Sequence, residues 1–172
     1  MDLFLSIVKQ QIKEMNSFNE RIQKFAACKN IAVAGVSRNP QTETGNAIYK
    51  KFKENGYNVF AVNPNAVEIE GDKCYPNLQS IPSPVDGVLI NTSPKETMNV
   101  LKDCKEANVK YAWIHSSIGN GSYNSEAEKY CEENGIELIP RGCPMMYIGK
   151  VDFPHKCIKG ILKLTRKLPF GL

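Results

Sequence analysis

Five short apolar runs recur along the chain: IAVAGV from Ile31, NVFAVN from Asn58, VDGVLIN from Val85, YAWIH from Tyr111 and IELIP from Ile136. Polar or helix-period stretches separate them. Runs this short and this apolar suit strands buried on both faces, and such strands joined by helical crossovers make a parallel sheet covered by helices. The expected fold class is therefore α/β, a sheet sandwiched between helical layers. The punctuation agrees with it. Thr44 can cap a helix that Gly56 stops, and Gly135 follows the segment after Ser125. The clearest start is SPKE, with Ser93 as N-cap, Pro94 at the first helical position and Glu96 completing a capping box, so this helix should run to about Ala107.

A chain of 172 residues is long enough to bury one substantial core. We expect the sheet domain over 29–146, a helical extension over 1–28 and a basic helical segment over 147–172. In the extension, Phe4, Val8, Ile12, Met15, Ile22 and Phe25 approximate one helical stripe, which would lie against the domain or against a second copy of the chain, making a homodimer the candidate assembly. So short an extension cannot hold a winged helix, and nucleic acid is not expected as a partner. No apolar run approaches the roughly 18 residues of a membrane span, so no membrane partner is expected either. The start, MDLFLSIVKQQ, carries no export signal, and the cysteines Cys28, Cys74, Cys104, Cys131, Cys143 and Cys157 form no C-x-x-C pair, which points to reduced thiols and a cytoplasmic location. The net charge of +4 is modest. The one basic block is the acid-free FPHKCIKGILKLTRKLPFGL, where Lys156, Lys159, Lys163, Arg166 and Lys167 alternate with Ile158, Ile161, Leu162 and Leu168; we expect a docked helix with a solvated lysine face.

In an open parallel sheet, ligands bind beyond the carboxyl ends of the strands, and helix N-termini there attract phosphate. That rule selects the loops to read. After the first strand, Gly35 allows close backbone approach, Val36 follows it, Ser37 offers a hydroxyl, Arg38 a fixed cation, and Asn39 ends the turn, with Thr44 and Gly45 at the helix entrance. This set suits a pyrophosphate. After the second strand, Asn63 and Pro64 stand where an NAD site usually carries an acid for the ribose hydroxyls. Asn63 near Arg38 tolerates a phosphorylated ribose instead, as in coenzyme A (CoA) or NADP, and the residues alone do not choose between the two. After the third strand come Thr92, Ser93 and Pro94, and after the fourth His115 and Ser116.

The words GVSRNPQTETGNAI, VNPNAVEIEGDKCYPNLQSIPSPVD, NTSPKET and RGCPMM follow one another in order over most of 29–146. In them the chain resembles the stand-alone CoA-binding domain family, related to the CoA-binding domain of succinyl-CoA synthetase and of ADP-forming acetyl-CoA synthetases. The resemblance implies a Rossmann-like fold with a five-stranded parallel core and CoA or acyl-CoA as the ligand. It places Gly35, Ser37, Arg38 and Thr44 against the CoA phosphates, Asn63 and Pro64 at the adenosine end, and Thr92, Ser93 and Pro94 on the other wall. IHSSIGNGS departs from the commoner family endings. The related synthetases keep their phosphorylated histidine and nucleotide machinery in further domains, so we expect a carrier, sensor or accessory module rather than a ligase.

No Ser/His/Asp order or H-x-x-x-H spacing accompanies His115 or His155. The alternative reading, an NADP-dependent oxidoreductase, would need a proton donor, for which His115 or Tyr111 is the nearby candidate. Cys143 follows Arg141 and is a candidate for thiol exchange, against the expectation that it is a small buried residue. Glu68 and Glu70 read as a solvated pair in a crossover loop.

Overall fold

The computed structural model describes residues 17–39, 44–117, 119 and 121–164. The five apolar runs all become strands: β1 (Asn30–Ala34), β2 (Asn58–Val62), β5 (Gly87–Ile90), β6 (Tyr111–Ile114) and β7 (Glu137–Ile139). Two shorter strands, β3 (Glu68–Ile69) and β4 (Asp72–Tyr75), complete a sheet of order β3-β4-β2-β1-β5-β6-β7. All neighbours run parallel except β3, which pairs antiparallel with β4. The fold is Rossmann-like, with seven strands rather than the five-stranded core expected. The additional pair arises because Glu70, at φ 55°, and Gly71, at φ 80°, both adopt the left-handed turn conformation that closes a two-residue hairpin.

Helices cover both faces of the sheet. Residues 17–26 (α1) and α2 (Thr44–Glu54) lie on one side; α3 (Pro94–Glu106) and α4 (Ala127–Glu133) lie on the other. Alternation along each strand builds two cores. Ile31, Val33, Leu89, Trp113 and Ile139 meet Phe18, Ile22 and Phe25 of α1 and Ile48, Tyr49 and Phe52 of α2. Ala32, Ala34, Ile90, Ile114 and Leu138 meet Leu101 and Cys104 of α3 and Ala127 and Cys131 of α4. Trp113 is fully buried, its ring edge-on to Phe25 at 5.3 Å between centroids and its indole N–H donated to the Gly142 carbonyl at 3.0 Å. The described part of the N-terminal stripe, Ile22 and Phe25, is thus built into the domain; Phe4, Val8, Ile12 and Met15 lie outside the described residues.

α1 also guards the sheet. Arg21 donates to the Leu138 carbonyl at 2.8 Å and Lys24 pairs with Glu137, which occupies polar groups along the otherwise open strand β7. At the other end of the chain, α5 (Phe153–Leu164) turns His155, Ile158, Lys159 and Leu162 towards the body. Contrary to the lysine-out, isoleucine-in expectation, Lys159 packs inward on the Tyr147 ring and donates to the Met146 carbonyl, while Ile161 is 60% and Phe153 78% exposed. Arg166, Lys167 and Leu168 lie outside the described residues. No helix among the described residues is long and apolar enough to cross a membrane.

Candidate functional site

The order of the parallel strands reverses between β1 and β5, and the crevice at their carboxyl ends is where a Rossmann-like sheet receives its ligand. Register fixes which residues meet there. Ala34 is level with Val62 and with Ile90, Ile90 with Ile114, and Trp113 with Ile139. One residue further on, Asn63, Gly35, Asn91 and His115 form a row along the carboxyl edge. The ladder continues through them: the N–H groups of Gly35, Asn91 and His115 donate to the carbonyls of Val62, Ala34 and Ile90. Tyr111, by contrast, is the first residue of β6 and sits at the opposite edge, which removes it as a proton donor for this site.

Close packing explains the two glycines. A Cβ on Gly35, whose φ is 93°, would lie 2.3 Å from the Asn91 carbonyl oxygen, and one on Gly45 would lie 2.4 Å from the Gly35 carbonyl oxygen. Gly45 is buried, so its place is to let the start of α2 rest on the turn. Thr44 is exposed beside it and is already the first residue of α2 rather than the cap before it.

Asn46 holds the turn, and sequence reasoning missed it. This side chain is 1% exposed; it accepts the Ser37 N–H at 2.7 Å and donates to the Ser37 carbonyl at 2.9 Å and to Glu70 at 3.0 Å. Glu70 is therefore no solvated bystander. Its carboxylate also pairs with Lys50 at 2.8 Å, and these two partners hold its pKa below the usual carboxylate range. Asn63 braces the turn from the other side, donating to the Val36 carbonyl at 2.7 Å while accepting the Asn65 N–H at 2.8 Å around Pro64. The signal for Asn46 was present: a poor helix former placed on the same face of α2 as Tyr49.

Within this frame Ser37, Arg38, Asn39, Asn63 and Asn65 line a cavity of about 500 Å³. Among the described residues every one that lines it is polar and none is acidic, and Arg38 supplies the cation. Arg38 is exposed, and no carboxylate pairs with it among the described residues. The Ser37 hydroxyl accepts the Asn39 N–H at 3.1 Å. A second cavity, about 460 Å³ beside α1 and α4, is lined by groups that already pair, including Arg21, Lys24 and Glu137.

The opposite wall is the start of α3. Ser93 caps it, accepting the Glu96 N–H at 3.4 Å with Pro94 at the first helical position, while the Glu96 carboxylate takes the Asn99 amide instead of completing the box. Thr97 is fully buried; it donates to the Ser122 carbonyl at 2.7 Å and lies 3.4 Å from the Thr92 hydroxyl, tying the third-strand loop to the fourth. Ser116 accepts the Gly142 N–H at 3.0 Å, a bond that occupies its hydroxyl inside the fold. His115 is 8% exposed and its Nε2 has no hydrogen-bond partner. Burial depresses its pKa to about 4, so the ring is neutral at physiological pH. Cys143, the residue after the Gly142 that bonds Ser116, is buried, and burial pushes its thiol up to about 11, the opposite of an activated thiolate.

The family model of the CoA binding domain matches residues 29–148. The chain belongs to this family. Tyr147 and Ile148, at the end of the matched stretch, join the core on the α2 side. Among similar proteins, ADP-forming acetate–CoA ligase II of Archaeoglobus fulgidus is 35% identical over 106 residues, covering 60% of this chain and 15% of the ligase. Across four such ligases the chain spans only 15% to 26% of their length. An uncharacterised protein of Bacillus subtilis is 29% identical over 115 residues, covering 67% of this chain and 82% of that one. In three dimensions, a hypothetical protein from Pyrococcus horikoshii matches with a TM-score of 0.66 and 32% identity, over 72% of this chain and 84% of the other.

Proposed function

We propose that this chain binds CoA or an acyl-CoA and serves in the cytoplasm as a carrier, sensor or accessory module. The diphosphate lies on the turn Gly35–Asn39 at the entrance to α2, and the phosphorylated ribose lies towards Asn63 and Pro64. Thr92, Ser93 and Pro94 form the facing wall. The observation that carries this reading is Arg38, an exposed guanidinium in a polar cavity, with neither a carboxylate partner nor an acidic lining residue among the described residues. Such a site attracts phosphate and would be filled from within if an acid stood at Asn63. Family membership narrows the phosphorylated ligand to CoA.

Binding without bond chemistry by this chain alone is part of the proposal. It is supported by the neutral, desolvated His115, whose Nε2 has no hydrogen-bond partner among the described residues, and by the raised Cys143 thiol. A second copy of the chain is the partner we propose for the exposed Phe153 of α5; sedimentation should find a dimer of the full chain that Phe153→Ser weakens, and a monomer in both would dismiss it.

A thermal-shift panel with CoA, acetyl-CoA, NADP and NAD tests the reading. A ligand at 100 times its Kd adds about 2.7 kcal/mol of stability, so CoA should raise the melting temperature by several degrees and NAD should not. An NADP shift larger than that of CoA would favour the oxidoreductase instead.

A further inference from the structure

Arg141 is a second cation on the ligand edge. It lies two residues beyond β7, level with His115 when the β6–β7 register is continued, and so at the far end of the row that starts at Asn63. Its guanidinium carbon sits over the Tyr123 ring, 3.8 Å from the ring centre, and Tyr123 in turn donates its hydroxyl to Glu128 at 3.2 Å. No carboxylate pairs with Arg141 among the described residues. A planar cation held on an aromatic platform, half-buried and with its donors uncommitted to an acid, is built to take an oxyanion from outside the chain.

The spacing says which oxyanion. From β1 to β7 the sheet takes three steps of about 4.8 Å, or about 14 Å in all. The pantetheine arm of CoA, about a dozen bonds from the phosphate to the sulfur, spans about the same distance when extended. A ligand with its diphosphate at Ser37 and Arg38 therefore carries its acyl end to Arg141. On the way it crosses Gly35, which has no side chain.

We infer that the acyl group borne by the ligand ends in a carboxylate, and that Arg141, stacked on Tyr123, is the residue that reads it. This rests on the CoA reading of the Ser37 and Arg38 turn. It assigns the chain to dicarboxylic monothioesters rather than to acetyl-CoA.

Calorimetric titration of the full chain with CoA, acetyl-CoA, malonyl-CoA and glutaryl-CoA tests the assignment. A charge-assisted bond makes at least one of the two dicarboxylic forms about tenfold or more tighter than acetyl-CoA. Arg141→Met should bring all the acyl forms to within about twofold of one another, and Arg141→Glu should make acetyl-CoA the tighter ligand, with CoA itself unchanged in both. Equal affinities of the unsubstituted chain for acetyl-CoA and both dicarboxylic forms would overturn the inference. So would an Arg141→Met loss shared by CoA, because Arg141 would then hold a group common to every form. If no form binds, the failure lies with the nucleotide reading, shown by Arg38→Ala also being silent, and the acyl assignment falls with it.

Discussion

Replacing Asn46 by alanine should damage both stability and ligand binding, although Asn46 is buried beneath the turn. Its amide supplies the acceptor for the Ser37 N–H and the donor for the Ser37 carbonyl, and it links the turn to Glu70. Each neutral bond contributes about 1 kcal/mol net, and a half-buried backbone pair left unmatched adds to the loss, so Asn46→Ala should cost about 3 kcal/mol. For a chain of this size each kcal/mol is about 2 to 4 °C of Tm, and calorimetry should find a drop of roughly 6 to 12 °C. A turn no longer held in its binding conformation should also weaken CoA by about tenfold, the equivalent of about 1.4 kcal/mol. Asn46→Asp sharpens the test. It keeps the acceptor for the Ser37 N–H but turns a carboxylate towards the Ser37 carbonyl and Glu70, so it should be worse than alanine and should recover in part with Glu70→Gln. A melting temperature within about 1 °C of the unsubstituted chain would refute the reasoning, as would an aspartate variant no worse than the alanine one.

Gly45→Ala should prevent normal folding, since its Cβ would stand 2.4 Å from a backbone oxygen that cannot move aside; circular dichroism of purified protein checks this, and a native melt would show that α2 can lift off the turn. His115 gives a pH dependence. Its folded pKa of about 4 lies below the ordinary 6.5, so the unfolded chain takes up the proton first, and stability is complete above about 6.5 and lost as pH falls towards 4, by up to about 3 kcal/mol. Melting curves from pH 7 to 4 should show this slope in the unsubstituted chain and not in His115→Gln; equal slopes would mean other groups carry it. Asn63→Asp should weaken both CoA and dephospho-CoA, because it removes the donor to the Val36 carbonyl, with the larger loss for CoA from repulsion of its 3'-phosphate; titrations that weaken neither ligand would dismiss both effects.

The sheet was legible because buried parallel strands have no polar face to disguise them: each of the five apolar runs overlaps its strand. The β3–β4 hairpin was not, since EIEGDKCY alternates polar and apolar residues over too few positions to stand out, and its one clue was Gly71 after Glu70. Helix ends followed their punctuation, with Ser93 as N-cap and Ala107 closing α3. In the site, the strand-end rule selected Gly35 through Asn39 and Asn63, and the structure brings Ser37, Arg38, Asn39 and Asn63 around one cavity. What the rule could not deliver was the bracing beneath. Asn46 and Glu70 meet across 24 residues of sequence, and such a contact leaves no local periodicity to read. Strand direction decided Tyr111 against His115: four residues of strand separate the two edges of the sheet by about 13 Å. Ile161 was misjudged because the helical stripe on α5 is apolar on more than one side, and only packing selects which side is covered.

The most direct test of the account is a calorimetric titration of CoA into the full chain and into Arg38→Ala. The account predicts saturable binding at one site and a loss of about 1.5 to 3 kcal/mol in the variant, a tenfold to hundredfold weakening, at an unchanged melting temperature because Arg38 is exposed. Absence of binding, or the same affinity with and without the guanidinium, would contradict it.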